Sequence, residues 1–247
     1  MGARALGMAN AASCAGDEWA MFNNIGGLSK VSHLTAACSK YVIPSFKPFN
    51  RLAAVFAVPV KLGVAGAGFF RFGDDLYSEQ LITVGYSNQF GIASLGVKMN
   101  YIQYHAEGFG TKSALAFSFG GIAELTPTFS IGAFADNINQ PRLSSVTDER
   151  IPARFKVGTG FKLSEKVFAT AELQKQSTDS PVVRAGLEYE VHKKFTARTG
   201  FNLNPQSAFG GIGFKLRKFK LDYAIQFHEL LGAAHQATVI ASLQKKK

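Results

Sequence analysis

Apolar and polar residues alternate with a period of two through most of this chain, and few folds accommodate such a pattern at this length. In Phe219–His228, Phe219, Leu221, Tyr223, Ile225 and Phe227 fall on one side and Lys220, Asp222, Ala224, Gln226 and His228 on the other. Successive strand side chains point to opposite faces, so this segment reads as a strand with one greasy and one polar face. The split recurs in Phe195/Ala197/Thr199/Phe201/Leu203 against Thr196/Arg198/Gly200/Asn202 and in Val183/Ala185/Leu187/Tyr189/Val191 against Arg184/Gly186/Glu188/Glu190. Phe155/Val157/Thr159/Phe161/Leu163 oppose Arg154/Lys156/Gly158/Gly160/Lys162 in the same way. In the last segment Ala237, Val239, Ala241 and Leu243 oppose Gln236, Thr238, Ser242 and Gln244, with Ile240 as the exception.

Carried along the whole chain, this reading predicts fourteen strands, near residues 32–43, 51–58, 62–72, 79–88, 92–104, 112–125, 129–137, 153–163, 167–176, 182–192, 194–203, 208–217, 219–228 and 233–244. Residues 31–245 then supply about 15 positions per strand and connection, near the ~10-residue strands and short turns of transmembrane barrels. Tight connections (58–62, 88–92, 125–129, 163–167, 192–194, 217–219) alternate with mostly longer ones, of which 137–153 is the longest. Short and long ends therefore lie on opposite sides. A soluble sandwich or barrel would turn its greasy faces inward, but fourteen strands enclose more space than side chains fill. The expected fold is an all-β, fourteen-stranded antiparallel transmembrane barrel. Its even strand number places both termini on the periplasmic side of a bacterial outer membrane.

Composition agrees with that architecture. Charged residues are 18% of the chain, against about 25% in ordinary soluble domains, while Phe numbers 22 and Gly 25. No apolar run reaches the ~18 residues of a membrane helix. The opening MGARALGMAN has neither a basic n-region nor a long apolar h-region, so no signal peptide is expected in it. A net charge of +10 would suit nucleic acid, yet the basic residues after position 150 alternate with carboxylates, opposite a lipid-type face. Nucleic acid is therefore not expected as a partner, and the Lys245–Lys247 run reads as a solvated tail.

Motifs for chemistry are missing. His33, His105, His192, His228 and His235 lie on separate segments without metal-ligand spacing. There is no G-x-S-x-G elbow or G-x-x-x-x-G-K-[ST] phosphate loop. No catalytic residue, metal or cofactor is expected. Cys14 and Cys38 read as small apolar side chains, with a single bridge between them left open. Small positions (Gly63, Ala65, Ala67, Thr83, Gly85, Ser94, Gly96) are taken as the lumen side of the first half, leaving volume for a plug.

Residues 1–30 break the alternation and are expected to fold inside a barrel formed by residues 31–247. Asp17 is placed to cap a short helix over Glu18–Phe22, ended by Asn23, Asn24 and the Gly26–Gly27 pair. The segment carries Gly2, Ala3, Arg4, Gly7, Met8 and Ala11, then Asp17, Glu18, Trp19 and Phe22, then Asn24, Ile25, Gly26, Gly27 and Leu28. In this order the residues resemble the N-terminus of FadL-like outer-membrane barrels, and in particular their PorV/PorQ-type branch from the Bacteroidota. There G-A-R-x-x-G-M-x-x-A and an acidic, aromatic stretch lead into N-P-A-G-L before the first strand. The resemblance covers the whole chain and implies a fourteen-stranded barrel with an N-terminal hatch. Ile25 replaces the motif's proline, and the 137–153 connection leaves little room for the external capture groove of the family's hydrophobic-compound transporters.

On this basis the expected role is that of a non-enzymatic accessory subunit of a larger outer-membrane export or assembly complex, as in PorV-like proteins. The alternative is a FadL-like diffusion channel for hydrophobic or small anionic compounds. Expected contacts are the outer-membrane bilayer, with lipopolysaccharide among its lipids, and other outer-membrane proteins or lipoproteins. The lumen is expected to hold Arg154, Lys156, Lys162, Glu172, Arg184, Glu188, Glu190, Arg198, Lys215, Arg217, Lys220 and Asp222. A closed ion-pair lattice locking Asp17 and Glu18 is favoured there over an anion-selective pore, since unpaired charge in a narrow low-dielectric interior is costly.

Overall fold

The computed structural model describes residues 1–143, 149–177, 179–228 and 232–243. Gln244 and the Lys245–Lys247 tail, and parts of the 137–153, 176–182 and 228–233 connections, lie outside the described residues. Fourteen strands form: β1 (Leu34–Val42), β2 (Arg51–Val60), β3 (Gly63–Gly73), β4 (Tyr77–Phe90), β5 (Ala93–Ala106), β6 (Gly110–Glu124), β7 (Phe129–Asp136), β8 (Arg154–Lys162), β9 (Val167–Gln176), β10 (Val182–His192), β11 (Phe195–Leu203), β12 (Gln206–Lys215), β13 (Phe219–His228) and β14 (Gly232–Leu243). Each pairs antiparallel with its sequence neighbours. The ring closes where β1 meets β14, from Leu34 opposite Leu243 to Val42 opposite His235. Closure leaves no unpaired edge, as strands without access to water require.

The exterior is apolar. Ile82 and Val84 on β4, Leu95, Val97 and Met99 on β5, Phe117 and Phe119 on β6, and Phe155 and Val157 on β8 all stand exposed on the outward face. So large an exposed apolar surface suits contact with lipid chains, and the molecule is a membrane barrel that contacts the bilayer.

Several details differ from the sequence reading. On β3 it is Val64, Gly66 and Gly68 that turn inward, while Ala65 and Ala67 turn out; Gly63–Gly68 holds no polar residue to mark the parity. The long-side connections are shorter than expected because β4–β6 extend to 14 or 15 residues. Beyond 43–50 and 137–153, these connections are brief. Cys14 lies inside, 3.5 Å from the Gly158 carbonyl, and Cys38 points outward, so both remain free thiols.

Residues 1–31 are largely buried against the strands. A short helix, α1 (Ala3–Gly7), packs on β11–β14, and a 3₁₀ segment, Ile25–Lys30, packs on β3–β6. Asp17 caps a 3₁₀ turn at Glu18–Met21, its carboxylate accepting from the Trp19 amide at 3.0 Å. Gly26 and Gly27 do not end that turn; they lie inside the next one, whose cap is Asn24. Trp19, Met21, Ile25 and Leu28 form a core with the inward Ala37, Ala53, Val55, Ala57 and Ile240. Ile240, the apparent exception, is apolar because it meets this core and not an aqueous lumen.

The lipid-facing reading of β5 is testable. Val97→Arg, midway along the strand, is expected to cost about 2–4 kcal/mol in urea unfolding from liposomes, whereas Gln103→Arg near the rim costs about 0–1. Equal effects at the two positions would contradict the placement of the apolar belt.

Candidate functional site

The interior is wired by charge. Lys220 Nζ lies 3.3 Å from Asp222, and Arg198 donates to Asp222 at 2.7 Å and to Glu188 at 2.6 Å. Arg4 donates to both oxygens of Glu188, at 2.9 and 2.8 Å, and to Asp17 at 2.9 Å. Three cations and three carboxylates thus form one continuous chain from the wall of β13 to the N-terminal segment. Arg198 and Asp222 are almost completely buried, and each charge has an opposite neighbour, the condition under which buried ions are tolerable.

A second anchor is Glu172 on β9. One of its oxygens accepts from the Ala12 and Ser13 amides at 3.0 and 2.9 Å and from the Ser13 hydroxyl at 2.6 Å. Its other oxygen accepts from Arg184 at 2.9 Å, with Lys156 Nζ at 3.9 Å. A third site lies in the first half of the barrel. Lys98 donates to the Met21 carbonyl at 3.1 Å beside Asp136, and Asn24 donates to the carbonyls of Ser13 and Gly121 at 2.7 and 3.0 Å.

Steric fit accompanies the hydrogen bonds. A side chain at Gly132 would collide with the Ser13 carbonyl, at Gly120 with the Asn24 side chain, and at Gly186 and Gly200 with Met8 and Ala9. Wall glycines are where the segment's backbone touches the sheet.

Of the expected lumen set, Lys156, Glu172, Arg184, Glu188, Arg198, Lys220 and Asp222 come together. Arg154 lies inward near the long-loop end. Lys162 and Glu190 line a cavity at the short-turn end, and Lys215 and Arg217 are exposed, outside the ionic chain. The sequence reading missed Arg4 as the link, because a partner 184 residues away leaves no local pattern. It also missed Lys98 and Asp136, having treated the first half's lumen side as small. Burial, with Asp17 beside it, pushes the Glu18 carboxyl up to about 7.

Two cavities flank the segment. One, of about 390 Å³, opens at the short-turn end among Arg4, Gly16, Lys30, Lys162, Glu188 and Glu190. The other, of about 270 Å³, lies towards the long loops, walled by Phe22, Phe70, Leu81, Ile102 and Tyr104 with Lys98, Asn100, Asp136 and Arg154. Part of the 137–153 connection covers this end, Ile151 packing with Ile102, Ala116 and Leu143.

No protein-family model and no curated protein matches the sequence. Solved structures do match the fold. The monoaromatic hydrocarbon channel CymD superposes with a TM-score of 0.75 at 12% identity over 99% of this chain and 98% of that one. A Pseudomonas aeruginosa FadL homologue gives 0.73 at 12% over 99% and 98%. The Ralstonia pickettii toluene transporter TbuX gives 0.70 at 11% over 95% and 98%. What is shared is the fold. These barrels are transport channels, which overturns the expected accessory role in an export or assembly complex, and nothing in the likeness points to the PorV/PorQ-type branch or to Bacteroidota.

Two outcomes follow from the interior chemistry. Arg198→Met leaves Glu188 and Asp222 short of a buried partner and is expected to cost about 3–5 kcal/mol in equilibrium unfolding; a loss under 1 kcal/mol would show the chain to be dispensable. Glu18 has a folded pKa raised above its usual 4.5, so its contribution is fully present below pH 4.5 and lost as pH rises towards 7. Hydrogen exchange in residues 1–31 should therefore be less protected at pH 8 than at pH 5 in the wild type relative to Glu18→Gln. An identical pH dependence in the two proteins would refute this.

Proposed function

We propose that this chain is a diffusion channel of a bacterial outer membrane that passes small hydrophobic compounds through its wall-lined chambers. The observation that supports it most is a fold shared over nearly the whole chain with barrels that include a monoaromatic hydrocarbon channel and a toluene transporter. The geometry is compatible with that task. The cavity towards the long loops has walls of mixed character, with Phe22, Phe70, Leu81 and Ile102 beside polar side chains, and its volume of about 270 Å³ exceeds the ~150 Å³ of an apolar cavity that accommodates benzene.

In this reading residues 1–30 are the plug and residues 31–247 the barrel. The plug separates the two chambers, so a solute crossing between them needs the segment to shift, and open ionic flow is not what the interior is built for. An anion-selective pore has less support. Arg4, Lys156, Arg184, Arg198 and Lys220 are engaged with Asp17, Glu172, Glu188 and Asp222, which reduces the fixed positive charge open to a passing anion. Both ends of the strand ring, Leu34 and Leu243, lie paired at the short-turn end. That end faces the periplasm in this reading, and the long-loop end faces the lipopolysaccharide leaflet.

Cells that lack hydrocarbon channels of their own and carry this chain should take up radiolabelled toluene several times faster than vector controls, with saturation. Planar bilayers should show no steady ionic conductance. Uptake at the vector level in cells with confirmed folded barrel would overturn the proposal.

A further inference from the structure

The cavity towards the long loops mixes apolar and polar lining. Phe22, Phe70, Leu81, Ile102 and Tyr104 supply the greasy part of the lining, and Lys98, Asn100, Asp136 and Arg154, with Met1, Glu79, Gln80 and Asn137, the polar part. Among the polar groups a relay fixes the direction of every hydrogen bond. Ser118 Oγ lies 2.6 Å from an Asp136 carboxylate oxygen, which can only accept, so the hydroxyl proton points there. Ser118 must then accept from Asn100, whose Nδ2 lies 3.1 Å away. The amide orientation follows: Asn100 keeps its Oδ1 free.

That oxygen is buried and meets no donor among the described residues; in the same cavity, Arg154 Nε is a buried donor that meets no acceptor. Asn100 itself is 2% exposed. A buried polar atom without a partner costs about 1–3 kcal/mol, so a site holding one acceptor and one donor beside aromatic walls is complementary to a group that does both. A hydroxyl is the smallest such group. A carboxylate supplies no donor for Asn100 Oδ1, and a plain hydrocarbon answers neither atom.

We infer that this cavity binds monoaromatic compounds bearing a hydroxyl, of the phenol class, the ring lying among Phe22, Phe70 and Tyr104 and the hydroxyl donating to Asn100 Oδ1 while accepting from Arg154. This names the substrate class of the channel proposed above and rests on that reading. Selectivity arises because an isosteric ring without the hydroxyl leaves the two polar atoms unanswered.

Equilibrium dialysis of radiolabelled phenol, anisole, toluene and benzoate against the full chain in lipid nanodiscs, with empty nanodiscs subtracted, tests this directly. Phenol is expected to bind about tenfold or more tighter than toluene, and also tighter than anisole, whose ether oxygen accepts but cannot donate. Asn100→Leu should erase the preference for phenol while toluene binding stays within about twofold. Arg154→Met, at a partly exposed position, removes none of the relay's hydrogen bonds, should reduce the preference, and serves if the first variant does not fold. Equal wild-type affinity for phenol and toluene, or tighter binding of benzoate, overturns the inference while leaving transport of hydrophobic compounds intact. Absence of binding by all four also overturns it, and the toluene uptake measurement decides separately whether the channel reading falls with it.

Discussion

A strand inside a bilayer has no water to satisfy its amides, so every N–H and C=O must find a partner in the sheet. That requirement governs the rest of this molecule. It closes β1 onto β14, and with closure comes an interior too wide for side chains of the wall to fill. Residues 1–31 pack against the inward faces of the strands, and because they are largely buried there their polar groups need matched partners on the wall. The ionic chain from Lys220 to Asp17, the Glu172 anchor and the Lys98 contact meet that need. Residues that look unrelated in the sequence are linked because one sheet had to close.

Glycine has a definite place in this arrangement. The inward glycines Gly120, Gly132, Gly186 and Gly200 sit opposite backbone or short side chains of the N-terminal segment. Elsewhere the wall carries Val55, Phe134 or Ile240, packed with the segment's Trp19, Met21, Ile25 and Leu28. Interior side-chain size follows the contour of what is packed against it, and the polar anchors fix the register of that packing.

Much of the barrel was legible in advance because period-two alternation is a local signal and lipid contact makes it strong. Phe219–His228 needed no tertiary information to be read correctly. Gly63–Gly68 did, since a run of Gly, Ala and Val carries no polarity to say which face is which. Ion partners were legible as a class and not as pairs: Glu188 and Arg198 stood out on the polar faces, but Arg4 lies in a segment without periodicity. The chamber with Asn100 was invisible for a related reason. Its walls come from the N-terminal segment and strands β3–β5, β7 and β8, and only the fold brings Phe22 near Phe70 and Arg154 near Asn100.

The segment's contacts divide between the two ends of the chain: Ile25–Lys30 rests on β3–β6 and α1 on β11–β14. Residues 1–31 precede β1 in the chain, yet about half of their docking surface belongs to its last strands. The segment's hydrogen bonds to Glu188 and Thr238 join it to strands far along the chain. Contacts of such long sequence separation form late and slowly. The N-terminal segment bridges the two ends of the strand ring, and its full set of partners exists together only where β1 and β14 have paired.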